Sequence, residues 1–241
     1  MAVADTVVEI AEVVLMVAVA ADGPVADRVV MVAGATGLVG RAVLAALSAD
    51  KRYRSIHLVG RRAPELRDDR VRFHAVDFGQ LPELPPVDDI YIALGTTIKV
   101  AGSQAAFRAL DHDAVLALAR QAHLSGARRL ALVSAMGADA QSRVFYNRVK
   151  GETEDALRAL GFTTLVIARP SMLAGDRASL AQAARLAERL CLFWMHRLKP
   201  LIPANYQAIE AQDVAHAMVQ AMTDGATGTR TLQSGQMQGA R

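Results

Sequence analysis

Short β-branched runs alternate with longer Ala/Leu-rich segments along the chain from Arg28 onward. This alternation is typical of a parallel sheet whose two faces are both covered by helices. We therefore predict an α/β fold with a doubly wound parallel sheet. The predicted strands are Arg28–Ala33, Ser55–Gly60, Val71–Val76, Asp89–Leu94, Arg129–Ser134 and Thr163–Ala168.

Two of the predicted helices have a clear apolar face. Within Ser103–Leu124, apolar residues recur at helical spacing, which predicts that one face packs on the sheet. A second helix is predicted over about Ser179–Leu198, before Pro200 and Pro203. Its apolar stripe fits either core packing or a cover over a substrate, and both interpretations stay open. The apolar residues of the first helix are Leu110, Val115, Leu116, Leu118 and Ala119.

The length of 241 residues is that of one ordinary globular domain. We assign residues 28–241 to a single domain, and residues 1–27 to an N-terminal extension of unknown structure. The extension contains an apolar run, Val13–Ala21, but acidic residues and no Lys or Arg precede it, unlike a signal peptide. The run is also too short to cross a bilayer, so we expect no stable membrane insertion.

Charge and cysteine content exclude several classes of partner. The 27 basic and 24 acidic residues give a net charge of +3 without a dense basic tract, so nucleic acid is not an expected partner. The single cysteine, Cys191, cannot form an intramolecular disulfide, and no Cys/His cluster has the spacing of a metal site. These features predict a cytoplasmic protein without a bound metal.

A glycine-rich turn, Gly34–Gly40, follows the first predicted strand and leads into a helix. Free backbone N–H groups and the helix dipole at such a place favour a pyrophosphate. Gly34 permits the tight turn, Gly37 leaves room for the phosphates, and Gly40 lets the helix pack closely on the strand. The sequence therefore predicts a dinucleotide site, so residues 28–241 are expected to form a dinucleotide-binding domain with a small C-terminal substrate-covering part. Its expected cofactor contacts are Gly34, Thr36, Gly37, Leu38, Val39 and Gly40.

The ends of the next strands predict which dinucleotide binds. Where an NAD enzyme usually has an acidic residue for the ribose hydroxyls, this chain has Arg61 and Arg62. Two guanidinium groups fit a 2'-phosphate, so we predict NADP(H) in preference to NAD(H). Asp77 is placed either to bind adenine or to cap the following turn, and Gly95 and Thr96 would let the cofactor pass over the sheet edge.

Tyr146 and Lys150 stand four residues apart in a predicted helix, so their side chains share one face. A neighbouring ammonium stabilises a phenolate, which lets a tyrosine act as general acid in carbonyl reduction or as base in alcohol oxidation. Ser134, at the end of the fifth predicted strand, is expected to hold the substrate oxygen. Lys150 is also expected to reach the nicotinamide ribose, and both Tyr146 and Lys150 are expected cofactor contacts.

These motifs resemble those of the atypical short-chain dehydrogenase/reductases, and within them the TIP30-like (Tat-interacting protein) branch. The matching segments are Gly34–Gly37, Ala93–Thr97, Val133–Ala138, Phe145–Glu152 and Arg169–Leu173. The resemblance implies a Rossmann-like domain that binds NADPH, with Ser134, Tyr146 and Lys150 at the catalytic positions and Pro170 beside the nicotinamide. It implies no particular substrate.

The chain departs from the classical pattern in one helix. Asp111 and Asp113 lie in the helix that carries an asparagine in classical members, so the identity of a fourth catalytic residue stays open. The leading hypothesis is an NADPH-dependent oxidoreductase acting on the carbonyl or alcohol of an unknown small molecule. The alternative is an NADPH-binding regulatory or sensor protein that acts through protein partners. A nucleotide-sugar epimerase is less favoured because little chain follows Pro200, and a homodimer is left open.

Overall fold

The computed structural model describes residues 27–65, 68–174 and 203–240. Seven strands form one sheet in which every neighbouring pair is parallel. Counting two short strands outside this sheet, the described residues contain nine strands: β1 (Arg28–Ala33), β2 (Tyr53–Gly60), β3 (Val71–Ala75), β4 (Asp89–Ile92), β5 (Arg129–Val133), β6 (Thr164–Arg169), β7 (Leu173–Ala174), β8 (Ile209–Glu210) and β9 (Gly228–Gln233). The sheet order is β3-β2-β1-β4-β5-β6-β9, while β7 and β8 pair separately.

All six predicted strands are present, with ends that differ from the prediction by at most two residues. The sequence reasoning missed β9, which pairs with β6 as an edge strand of the sheet. Its sequence, GTRTLQ, contains one large apolar residue and is only half-buried. An edge strand of this kind lacks the continuous apolar run that identified the inner strands.

Helices cover both faces of the sheet, as predicted. They are α1 (Leu38–Ala49), α2 (Ile98–Ala101), α3 (Gln104–Arg108), α4 (Val115–Leu124), α5 (Phe145–Arg158), α6 (Ala211–Thr223) and α7 (Ser234–Met237). The core on one face joins α1 and α6 to the sheet through residues such as Val43 and Met218. The core on the other face joins α4 and α5 through residues such as Leu118 and Leu157. The doubly wound architecture is therefore confirmed.

The helical segment predicted over Ser103–Leu124 is interrupted in its middle. Its residues Ala109–Ala114 form one wider π-helical turn between α3 and α4. The apolar face is nevertheless as expected, since Val115, Leu116, Leu118 and Ala119 are buried and Leu110 is partly buried. A π-turn commonly marks a functional position because it turns one side chain out of the regular helical order.

A buried polar cluster lies where β2, β4 and β5 begin. The carboxylate of Asp89 has no solvent exposure and accepts hydrogen bonds from Tyr53 Oη at 2.7 Å and Arg129 Nε at 2.6 Å. Arg28 Nη1 lies 3.9 Å from the same carboxylate. Burial raises the pKa of Tyr53, so its phenol stays the donor in this pair. The cluster fixes the strand ends opposite the predicted cofactor edge.

Parts of the predicted organisation fall outside the described residues. They are nearly all of the proposed extension, residues 1–27, and the whole helix predicted over Ser179–Leu198. The boundary between extension and domain stays a prediction. Among the helices that the structure describes, none combines the length and apolar character that a membrane span requires.

Candidate functional site

The glycine turn connects β1 to α1 at the edge where the parallel strands end. Gly34 has a φ of +86°, and Gly37 N donates to Gly34 O at 3.0 Å, which closes the turn. A Cβ on Gly34 would lie 2.4 Å from the carbonyl oxygen of Ala93, so the turn also packs closely on the end of β4. Gly37 caps α1, whose first N–H groups face this edge. The local geometry matches that of an anion-binding strand-to-helix turn.

A cleft of about 170 Å³ runs along this edge of the sheet. It extends from the ends of β2 and β3, across the glycine turn that follows β1, to the end of β4. Such a crevice at the switch in strand order, between β1 and β4, is where ligands bind in open α/β sheets. The predicted cofactor residues that line it are Gly34, Thr36, Gly37, Arg61, Arg62 and Gly95.

Other predicted cofactor residues lie outside the lining of this cleft; they are Leu38, Val39, Gly40, Asp77, Thr96, Tyr146, Lys150 and Pro170. Asp77 Oδ1 accepts a hydrogen bond from Gly79 N at 2.9 Å, which is the turn-capping alternative considered for it. Pro170 is buried, and its carbonyl oxygen accepts from Met136 N at 3.0 Å. Their cofactor roles stay predictions.

The three glycines of the turn differ in what a side chain would meet. A Cβ on Gly40 would lie 2.0 Å from Gly34 O, whereas a Cβ on Gly37 would lie 3.4 Å from the same atom. The absence of a side chain at Gly40 therefore allows α1 to pack against the glycine turn, whereas at Gly37 it leaves space in front of the turn. This difference supports the predicted fit of a pyrophosphate and yields a matched pair of variants.

We expect Gly40→Ala to lower the free energy of unfolding by about 1–3 kcal/mol, the usual cost of overpacking. Gly37→Ala should lower it by only about 0.5–1 kcal/mol, because alanine is a poorer helix N-cap than glycine, yet weaken NADPH binding at least tenfold, because the methyl group occupies the phosphate space. Urea denaturation and calorimetric titration measure the two effects. Unchanged NADPH affinity in Gly37→Ala would contradict the predicted phosphate site.

Tyr146 and Lys150 both lie on α5, one turn apart, as predicted. The half-buried Tyr146 ring packs 5.3 Å from the ring of Phe107, a fully buried residue of α3. Lys150 is 4% exposed, and its Nζ lies 4.0 Å from where a Cβ on Gly95 would stand. The ammonium therefore lies next to the end of the cleft, because Gly95 lines that end.

The direct partner of Lys150 is Asp111, in the π-turn. Lys150 Nζ lies 2.7 Å from Asp111 Oδ1, and Thr96 N donates to Asp111 Oδ2 at 3.0 Å. Sequence reasoning left open whether this helix supplies a further functional residue. The signal that could have identified Asp111 is an acidic residue on a helix face that is otherwise apolar.

Ser134 lies at the end of β5, but its hydroxyl faces a second polar cluster. Ser134 Oγ donates to Glu154 Oε1 at 2.5 Å, while its backbone N–H donates to Ala168 O at 2.8 Å. The fully buried Glu154 also accepts from Arg158 and Arg169, and its hydrogen bonds raise the pKa of the Arg169 guanidinium. The predicted hydrogen bond from Ser134 to a substrate oxygen requires the one to Glu154 to break, and it stays a prediction.

Solved structures with this fold include several short-chain dehydrogenase/reductases. A superfamily protein from Agrobacterium tumefaciens with bound NAD matches 85% of this chain and 77% of its own, at 15% identity and a TM-score of 0.63. A short-chain type dehydrogenase/reductase from Mycobacterium ulcerans matches 88% and 90%, at 16% identity and a TM-score of 0.61. At these identities the likeness establishes the Rossmann-like fold alone.

The sequence matches a set of fungal proteins more closely. Over 171 residues it is 35% identical to "Protein fmp52, mitochondrial" of Emericella nidulans, which covers 67% of this chain and 72% of the fungal protein. Further fungal matches have the same name and are also called mitochondrial. The prediction of a cytoplasmic location is therefore wrong. No protein-family model matches the chain.

Proposed function

The chain belongs to the Fmp52 family, and from this premise we propose that it is an NADPH-dependent oxidoreductase of the atypical short-chain dehydrogenase/reductase type. The proposed reaction is reduction of a carbonyl group, or its reverse, on a small molecule. One observation carries the proposal: the cleft crosses the glycine turn and reaches Gly95, beside the ammonium of Lys150. A dinucleotide in the cleft would bring its reactive end to the Tyr146 and Lys150 pair.

Each residue has a separate task in this proposal. The amides of the glycine turn bind the pyrophosphate, and Arg61 and Arg62 bind the 2'-phosphate. Lys150 binds the nicotinamide ribose. When bound, the reduced nicotinamide supplies a hydride for the carbonyl carbon. Tyr146 Oη gives its proton to the carbonyl oxygen, and the resulting phenolate regains a proton from solvent.

The direct test follows the loss of NADPH absorbance in mixtures of the purified protein with aldehydes, ketones and quinones. The proposal expects turnover with at least one of these carbonyl classes and an alcohol or hydroquinone as product. Binding of NADPH without turnover of any class would instead favour the regulatory alternative, in which the protein reports cofactor binding to a partner.

The two arginines give a prediction about coenzyme choice. Replacing both Arg61 and Arg62 with Ala should weaken NADPH binding by about 10–100-fold, the loss of one or two hydrogen bonds to a charged group. Binding of NADH should change little, because NADH has no 2'-phosphate. Calorimetric titration with each coenzyme measures the ratio of the two affinities. The control variant is Arg72→Ala, which removes an exposed arginine on β3. Equal weakening of both coenzymes would contradict the assignment.

The names of the fungal relatives support a mitochondrial location, which we propose for this chain. The closer resemblance to the TIP30-like branch and a homodimeric assembly stay predictions. The proposed partners are therefore a nicotinamide dinucleotide and a small carbonyl or alcohol substrate. Fluorescence microscopy of the tagged full chain tests the location.

A further inference from the structure

Asp111 and Lys150 form an ion pair that is almost closed to solvent. Their side chains are 0% and 6% exposed, and Lys150 Nζ lies 2.7 Å from Asp111 Oδ1. A buried ammonium without an opposite charge is strongly disfavoured and tends to lose its proton. The carboxylate of Asp111 therefore stabilises the charged form of the lysine that the proposed reaction uses.

The backbone around Asp111 is shaped to present this carboxylate. Asp111 lies in the π-turn Ala109–Ala114, and its carbonyl oxygen accepts a hydrogen bond from Thr153 Oγ1 at 3.1 Å. Thr153 is buried on α5, three residues after Lys150. One helix thus provides both the lysine and the hydroxyl that supports the turn opposite it. The pairing is part of the packing between these helices and not a surface contact.

The second carboxylate oxygen has a different partner. Asp111 Oδ2 accepts from Thr96 N at 3.0 Å, in the loop directly after Gly95. Asp111 thereby connects the catalytic lysine to the loop that the cofactor is expected to cross. A single side chain holds the ammonium and this loop at a fixed separation.

We propose that Asp111 is a positioning residue of the site, which keeps Lys150 an ammonium and directs it to the end of the cofactor cleft. This inference rests on the proposed function. The neighbouring titratable groups on α5 are Tyr146, one turn before Lys150, and Glu154, one turn after it. Glu154 accepts hydrogen bonds from Ser134, Arg158 and Arg169. On the π-turn, His112 Nδ1 lies 2.7 Å from Asp113 Oδ1.

The variant Asp111→Asn separates the two tasks of the side chain. Its amide oxygen can still accept from Thr96 N, whereas the negative charge beside Lys150 is lost. Asp113→Asn is the matched control, since it makes the same change two residues away at a largely exposed side chain. Circular dichroism and thermal melting establish that each variant is folded.

Lysine side-chain NMR shifts, recorded across a pH titration, follow the protonation of each lysine without any cofactor or substrate and need no reagent to enter the buried site. In Asp111→Asn, the midpoint of the Lys150 transition should fall by about 1–3 pH units, the usual effect of removing an adjacent opposite charge. The exposed Lys51 and Lys99 should keep their wild-type profiles, and so should Lys150 in Asp113→Asn. An unchanged Lys150 profile in Asp111→Asn would overturn the proposal.

A second variant covers the case in which Asp111→Asn does not fold. The double variant Asp111→Asn/Lys150→Met has no buried charge at this place, so it should fold and show a cooperative melting transition where Asp111→Asn alone does not. If the double variant also fails to fold, Asp111 acts in packing alone and the proposal is wrong.

The oxidoreductase proposal is tested separately by NADPH titration of the wild-type protein. Failure of that titration would remove the proposed reaction, while the NMR result would still show whether Asp111 controls the charge of Lys150. With a carbonyl substrate available, Asp111→Asn should also move the alkaline limb of the pH–rate profile to lower pH. A purely structural defect would lower the rate equally at every pH.

Discussion

Replacing Tyr146 with Phe is expected to lower kcat for carbonyl reduction by about 10²–10⁴-fold, the range that general acid–base catalysis contributes. The substitution removes only the hydroxyl that donates the proton. The phenylalanine ring can keep the packing of Tyr146 against Phe107, whose ring centroid lies 5.3 Å away. The fold and the cofactor cleft should therefore be unaffected, because Tyr146 does not line the cleft.

Two measurements on this variant separate chemistry from binding. Steady-state rates of NADPH oxidation give kcat, and calorimetric titration should show nearly unchanged NADPH affinity. A kcat close to that of the wild-type protein would mean that another group supplies the proton. If the variant still binds NADPH but no longer performs the protein's function in cells, that function requires catalysis. If the function in cells is unchanged, the sensor alternative is supported.

The second large effect concerns stability at the opposite edge of the sheet. Asp89→Ala is expected to lower the free energy of unfolding by about 3–5 kcal/mol, as when one partner of a buried ion pair is removed. The change deletes the acceptor of the Tyr53 hydroxyl and of Arg129 Nε in a place without solvent. Urea denaturation of the purified variant measures the loss.

Asp113→Ala is the control for this prediction, because the Asp113 side chain is 63% exposed. Its effect should stay within about 0.5 kcal/mol, as for most surface substitutions. Asp89→Asn should lie between the two, since its amide oxygen can still accept one hydrogen bond. A loss below about 1 kcal/mol in Asp89→Ala, the value of a single ordinary hydrogen bond, would contradict the cluster's role.

The sequence was sufficient to predict the sheet because its inner strands are buried on both faces. Such strands read as continuous apolar runs, for example Arg28–Ala33 and Thr164–Arg169. The edge strand Gly228–Gln233 could not be found in this way. It is polar, and its place is set by pairing with β6 and not by its own composition.

The candidate site was predictable where local spacing decides the geometry. The glycine turn and the Tyr146 and Lys150 pair each depend on a few consecutive residues in one element. Asp111 and Glu154 act across elements that are distant in sequence, so no local pattern identifies their partners. The π-turn at Asp111 and the hydrogen bond from Ser134 to Glu154 arise from the packing of α5 against its neighbours.

Calorimetric titration of the wild-type protein with NADPH and, separately, with NADH tests most directly whether the cleft beside the glycine turn and Lys150 binds a phosphorylated nicotinamide dinucleotide. We expect NADPH to bind at least tenfold more tightly than NADH, because of hydrogen bonds to the 2'-phosphate. Failure to bind either dinucleotide would contradict both the cleft assignment and the reaction built on it.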